Sequence, residues 1–320
     1  MKTPKILVVG SLVTDLITKV HTLPVAGETR FGHDFTTAPG GKGANQAVQA
    51  RLLGADVTMV GRVGADANGE YLRTALKSYG LSDEHIGIDS KVSTAVGNII
   101  LETGGERTQN RIIVVPGANM AITTDDVAFL ANTIGEYDMV ILQLEIPMQV
   151  NRVVAEYARA AGVPVMLNSA PYVPIDDDLL AKLAYISPNE TEAAAITGVP
   201  IRREGKDVNF DDVRKAIDVL REKGVPNVII TLGSAGAAFG NADGIIFSPC
   251  IDIVKVQDPT AAGDSFVGAF CYAVSSGMGY EQALKFANYT ATLTVSKMGA
   301  MPSLPTLDQV LALMATTEGK

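Results

Sequence analysis

The stretch DPTAAGDSF (258–266) follows an alternating apolar run and precedes a long apolar segment of helical character. Ala261, Ala262 and Gly263 are small enough for backbone N–H groups to approach a ligand closely, and Asp264 stands where the helix should begin. The first N–H groups of a helix lack internal partners and carry the positive end of its dipole. Such a turn is a ready anion site. An aspartate beside it can stay ionised near neutral pH and accept a proton. The same aspartate can also be a plain N-cap, and this stretch alone leaves both readings open.

Four other groups of residues could act on a ligand. APGGKGANQAVQA (38–50) is a glycine-rich entry into a helix. It is neither a Walker A loop nor a dinucleotide fingerprint, because it follows no clear buried strand and its spacing differs. Gly40, Gly41 and Gly43 would let a hydroxylated ligand lie against the backbone, with Lys42 and Asn45 as donors; the alternative is a flexible loop and a close helix packing. In SPNETEAAAITG, Asn189 and Glu192 are spaced to face one side of a helix start. They suit either a hydrated Mg²⁺ beside phosphates or a capping box. In VIITLGSAGAAFG, Thr231, Gly233 and Gly236 end a strand with a loop that could touch a ligand or be an ordinary turn. Asp15 follows the first strand and Glu145 ends another. Carboxylates at strand ends of an α/β sheet are well placed to accept from sugar hydroxyls, and each could equally be a solvated loop charge. His21, His33 and His85 fit no triad or metal spacing and read as surface residues, and Cys250 and Cys271 as apolar fillers.

The elements that must position these residues alternate. KILVVG, VTMVGRVG, DMVILQLE, PVMLNSAP, AYISPNE, NVIITLGS and IVKVQD read as strands. GKGANQAVQARLLG, NGEYLRTALKSYG, VNRVVAEYARAAG, DDVRKAIDVLREKG and YEQALKFANYTATLTVSK read as helices. That order implies a mainly parallel sheet covered on both faces. Two regions break the rhythm. The first, about 16–38, is rich in Pro, Gly and Thr; the second, about 94–115, is two alternating runs around ETGGER, a hairpin signal. Both read as strands that leave the main sheet for a small one, within a single domain spanning 1–320.

The chain has 320 residues, 47% hydrophobic, with a formal net charge of -9. This argues against a nucleic-acid surface, though not against a local anion site. Two cysteines make neither a disulfide scaffold nor a zinc site. No apolar run approaches a membrane span and the start is too short for a signal peptide, so a reducing cytoplasm is the expected address.

Together, GGKGANQA, PNETEA, TLGSAG, DPTAAGDSF and MGAMPSLP have the order and spacing of the ribokinase family, the PfkB-type carbohydrate kinases, and GGKGANQA resembles the ribokinase branch. The resemblance covers nearly the whole chain. It implies a three-layer α/β/α core with a β lid that often pairs with a second subunit's, and transfer of the ATP γ-phosphoryl to a sugar hydroxyl. Asp264 would be the base, with the N–H groups of Ala261, Ala262 and Gly263 forming the anion hole. Asp15, Gly41, Lys42, Asn45 and Glu145 would hold the sugar. Asn189, Thr231, Gly233, Ser234, Gly236 and Asn288 would lie near the nucleotide, with Glu192 ordering Mg²⁺ through water. A K⁺ ion would be held by Asp258 and Thr260, with Lys297, Gly299 and Ser303 from the SKMGAMPS loop.

Three positions depart from the family pattern. Val13 stands where an asparagine usually contacts a sugar hydroxyl, and an unpaired buried hydroxyl costs roughly 1–3 kcal/mol. A 2-deoxy or otherwise altered pentose gains by that change, beside ribose. Pro259 replaces a threonine but keeps its carbonyl, and Ser169 replaces a proline. The alternatives are a nucleoside or hexose kinase on the same fold, and a catalytically silent sugar sensor.

Overall fold

The structure is a computed structural model and describes residues 2–104, 109–205 and 207–318. Lys5–Val9 is apolar after its first residue and buried beyond it; Met139–Leu142 and Val165–Asn168 are buried throughout. Strands of this kind need cover on both faces, which a parallel sheet flanked by helices supplies. Lys5–Val9 pairs in parallel with Asp56–Gly64 on one side and Met139–Leu142 on the other. The sheet continues, still parallel, through Val165–Asn168, Tyr185–Ser187 and Asn227–Thr231, and Ile86–Asp89 ends the opposite side. Alternate residues of Lys5–Val9 enter different cores. Ile6 and Val8 pack with the Lys42–Leu52, Ala262–Ser275 and Tyr280–Val295 helices, whereas Leu7 and Val9 pack with Met148–Ala161 and Phe210–Glu222.

The expected strand IVKVQD does not form. That segment is irregular, with Ile253 50% and Val256 59% exposed. An antiparallel hairpin, Ala237–Asn241 and Gly244–Ser248, forms that end of the sheet, and the 253–258 run passes on without adding to it.

A second sheet has four strands, ordered Asp34–Gly40, Val13–Val20, Val96–Glu102, Gln109–Val115. Its central pair is parallel and its outer pairs antiparallel. Part of the turn expected at ETGGER lies outside the described residues. Val13–Val20 begins earlier than expected, so Val13 and Asp15 belong to this small sheet and not to the end of the first core strand. Its roots are tied together. Asn119 exchanges two hydrogen bonds with the Leu12 backbone, both 3.0 Å, and Ala118 N–H donates to the Ser93 carbonyl at 2.8 Å.

Candidate active site

The Ala262–Ser275 helix starts after Ala261, whose φ of 60° makes it the only non-glycine residue with positive φ among the described residues. That conformation costs an alanine about 1–2 kcal/mol, so the turn is over-determined by its surroundings. Ala262 N–H closes it on the Pro259 carbonyl at 3.2 Å. No side chain caps this helix, which removes the capping reading of Asp264. Its carboxylate, buried, instead accepts Asn45 Nδ2 at 2.8 Å and Gln46 Nε2 at 2.9 Å. The reach is short because Gly268, one turn on, has no side chain. A Cβ there would lie 2.9 Å from the Gln46 carbonyl oxygen and 3.0 Å from Gln49 Cβ.

The glycine loop lies flat on the turn after the first strand. Gly41 has φ 96°, and a Cβ on it would fall 2.8 Å from Val13 N and 2.9 Å from Ser11 O. Ser11 Oγ donates to Glu145 and accepts Gly43 N–H at 3.2 Å; Lys42 N–H donates to the same Glu145 oxygen at 3.1 Å. Asp15 reaches between Gly40 and Gly97, whose added Cβ atoms would come within 2.7 and 2.5 Å of its carboxylate. Burial, and secondarily the charge of Glu145, push the Asp15 carboxyl up to about 7. Burial disfavours the Lys42 ammonium, but the nearby carboxylates of Asp264, Glu145 and Glu192 outweigh it and hold its pKa above the ordinary lysine value.

Lys42, Asp264 and the 261–263 turn line one cavity with Asn189, Glu192 and Thr231. Asn189 and Glu192 do form a capping box: Asn189 Oδ1 accepts Glu192 N–H at 2.9 Å, and Glu192 Oε2 accepts Asn189 N–H at 3.0 Å. Capping and a place in the cavity are therefore compatible. Ser169 Oγ also donates to Glu192, at 3.3 Å, a contact that a proline there could not make. Two polar lining residues escaped the sequence reading. Asn168 Oδ1 and Ser187 Oγ are buried without a protein partner. Both end parallel strands, the position that could have flagged them. Their free oxygens beside buried Glu192 fit the water shell of a hard divalent cation.

Gly233, Ser234 and Gly236 form a tight turn just past Thr231. Gly236, φ 100°, is pressed against Ser248–Pro249, which Asn288 holds from the other side through Nδ2, 2.8 Å from Ser248 Oγ and 3.2 Å from the Pro249 carbonyl. These residues support the segment beside the cavity and are not among its lining. On the opposite side, Asp258 accepts Thr260 Oγ1 at 2.6 Å and Gly299 N–H at 2.9 Å, which joins the two loops expected to hold K⁺. Ser303 is buried and donates to the Ala300 carbonyl at 2.7 Å. Lys297 lies two residues past the Tyr280–Val295 helix, its N–H on the Thr294 carbonyl at 3.2 Å.

The arrangement is a buried carboxylate, an uncapped helix start and a buried ammonium around one cavity, with two further carboxylates, Asp15 and Glu145, beside the glycine loop. A model of the pfkB family carbohydrate kinases matches residues 3–307. The chain belongs to that family. Among family members, the ribokinase of Schizosaccharomyces pombe is 38% identical over 314 residues, covering 95% of this chain and 96% of the relative. The deoxyribokinase of Salmonella typhi is 32% identical over 315 residues, covering 98% and 99%. The structure of Arabidopsis thaliana ribokinase complexed with ribose and ATP has a TM-score of 0.88 at 35% identity, over 98% of this chain and 99% of that one. The fold expected from the sequence is the fold found, and the chain is a carbohydrate kinase.

Proposed function

We propose that this chain is an ATP-dependent pentose kinase that phosphorylates the 5-hydroxyl of ribose or 2-deoxyribose. The observation that carries the reading is Asp264, fixed through both oxygens at the start of an uncapped helix and facing the same cavity as Lys42. Asp15 and Glu145 accept from the sugar hydroxyls, while Gly41 and Asn45 shape and read the sugar. Asp264 takes the proton of the attacking hydroxyl. Phosphoryl transfer then needs alignment and stabilisation of spreading negative charge more than covalent help. The N–H groups of the 261–263 turn and the Lys42 ammonium supply that stabilisation, so Lys42 serves the phosphoryl group as well as the sugar loop. Thr231 and Asn189 border the phosphates, and the Gly233–Gly236 turn with the segment held by Asn288 borders the rest of the nucleotide.

Mg²⁺ bound with ATP would neutralise phosphate charge, with Glu192, Asn168 and Ser187 holding its water shell. A K⁺ ion would lie between the loops joined by Asp258, with Thr260, Gly299, Lys297 and Ser303 from those loops around it. The small sheet acts as a lid. Its Phe35 and the outer strand's Ile112, Ile113, Val114 and Val115 are exposed, which supports pairing with a second copy of the chain. No helix among the described residues is long and apolar enough to cross a membrane, and a cytoplasmic address fits this reading.

The sugar is the finer question. Val13, 5% exposed, sits at the lid root beside Gly97 and offers no hydrogen bond, which favours 2-deoxyribose as a substrate alongside ribose. The test is an acceptor panel of pentoses, hexoses and nucleosides followed by ADP release with Mg²⁺ and K⁺ present. Pentose-dependent ADP release supports the reading. Release only with nucleosides or hexoses, or tight sugar binding without any turnover, overturns it.

A further inference from the structure

Behind Asp264 lies a chain of buried amides that the reaction as described does not use. Gln46 Nε2 donates to Asp264 Oδ1 at 2.9 Å. Gln143 Nε2 donates to Gln46 Oε1 at 2.8 Å, and Asn151 Nδ2 donates to the backbone carbonyl of Gln143 at 2.8 Å. Gln46, Gln143 and Asn151 are all wholly buried. The polarity runs one way. A carboxylate only accepts, so Gln46 must turn its NH₂ toward Asp264 and its oxygen away, and that oxygen in turn requires the NH₂ of Gln143.

As packing, this chain is costly. Gln143 Oε1 and Asn151 Oδ1 have no partner, and a buried polar atom left unpaired is penalised. Gln143 Oε1 also occupies the space that a side chain on Gly10 would fill. Apolar residues of similar size would fill the same volume without that penalty. The buried chain ends on one group that touches substrate in the proposed reaction.

We infer that Gln46, with its amide locked by Gln143, is a positioning residue for Asp264. The inference rests on the pentose-kinase reading. Asp264 is held by two donors of different character. Asn45 is the residue proposed to read the sugar, and its buried Oδ1 is without a partner; when it turns to the sugar, its hold on Oδ2 can be given up. Gln46, wholly buried and with its oxygen taken by Gln143, keeps Oδ1 in place while Asp264 receives the hydroxyl proton on a lone pair neither amide occupies. Gln46 itself transfers nothing. Lys42 is the cation facing Asp264, with Glu145 and Glu192 around the same ammonium, and the amides set where the carboxylate points.

The experiment compares the parent with Gln46→Met, Gln46→Glu, Gln143→Met and the Gln46→Met/Gln143→Met double variant. Thermal unfolding, kcat, and KM for sugar and for ATP are measured on each. Losing one hydrogen bond to a charged group corresponds to a fall in kcat of about 10- to 100-fold, and Gln46→Met should show it with both KM values within about threefold of the parent. Gln46→Glu keeps the shape, loses the donor and should fall at least as far. Gln143→Met should fall less, and the double variant should match Gln46→Met alone, since Gln143 acts only through Gln46. A folded Gln46→Met with near-parental kcat overturns the inference, as does a loss spread equally over kcat and both KM values. If Gln46→Met does not fold, Gln46→Glu and Gln143→Met decide, and parental kcat in both overturns it. A parent without sugar-dependent turnover is a separate result, in which the pentose-kinase reading fails and the inference falls with it.

Discussion

Asp15 is a carboxylate the empty protein holds at a cost. Burial and Glu145 raise it from 3.8 to about 7. At ~1.4 kcal/mol for each tenfold, keeping it ionised in the folded state at pH 8 costs about 4 kcal/mol. The sign follows from proton counts. Between pH 3.8 and about 7 the folded protein binds a proton here that the unfolded chain does not, so this group's contribution to stability falls as pH rises through that window and stays low above it. Asp15→Asn cannot ionise and should escape the cost. Without ligands, urea unfolding should show the variant more stable than the parent by about 4 kcal/mol at pH 8 and by less than half of that at pH 5. The same substitution removes a charged acceptor proposed for sugar hydroxyls, so KM for the sugar should rise about tenfold or more. An advantage equal at the two pH values, or absent at pH 8, would refute the view that Asp15 is held against its charge for the sake of the ligand.

Asp264→Asn should fold and bind ATP normally while kcat falls about 10²- to 10⁴-fold, the usual range for a general base; a near-normal kcat would remove it from that role. Val13→Asn should raise the ratio of ribose to 2-deoxyribose kcat/KM by about 5- to 150-fold, the worth of one hydrogen bond, and an unchanged ratio would mean that Val13 does not read the sugar. Turnover should require Mg²⁺ and run faster in K⁺ than in Na⁺, and equal rates in K⁺, Na⁺ and cation-free buffer would speak against a site at Asp258. Gly268→Ala should push the two helices apart, costing about 1–3 kcal/mol in stability and lowering kcat with it; unchanged values for both would show that the close approach is not needed.

Much of the site was legible because its parts are local. The 261–264 turn, the GGKGAN loop and the Asn189–Glu192 pair each carry their spacing in a few consecutive residues, and the structure brings all three to one cavity. What the sequence left open was decided by partners far along the chain. Whether Asp264 caps its own helix depends on Gln46 and Asn45, 218 and 219 positions away. Gln143 carries no motif, and its hydrogen bond to Gln46 exists only because the Met139–Leu142 strand before it brings it there. IVKVQD has the alternation of a strand, but alternation does not decide pairing, and the sheet ends at the preceding hairpin. Asp15, expected just past the first strand, lies instead within a strand of the small sheet, which begins almost where the first strand stops.

The distance of 219 positions between Asn45 and Asp264 has a consequence for a chain still being made. The first core strand, the glycine loop, the lid and Glu145 all emerge from the ribosome before the helix that carries the base. Until that helix arrives, the face of Lys42–Leu52 that will hold Asp264 stays open. A chain stopped before that helix would carry most of the groups proposed to grip a sugar and not the one proposed to activate its hydroxyl. On that reading, competence for phosphoryl transfer begins only once the Ala262–Ser275 helix has been made.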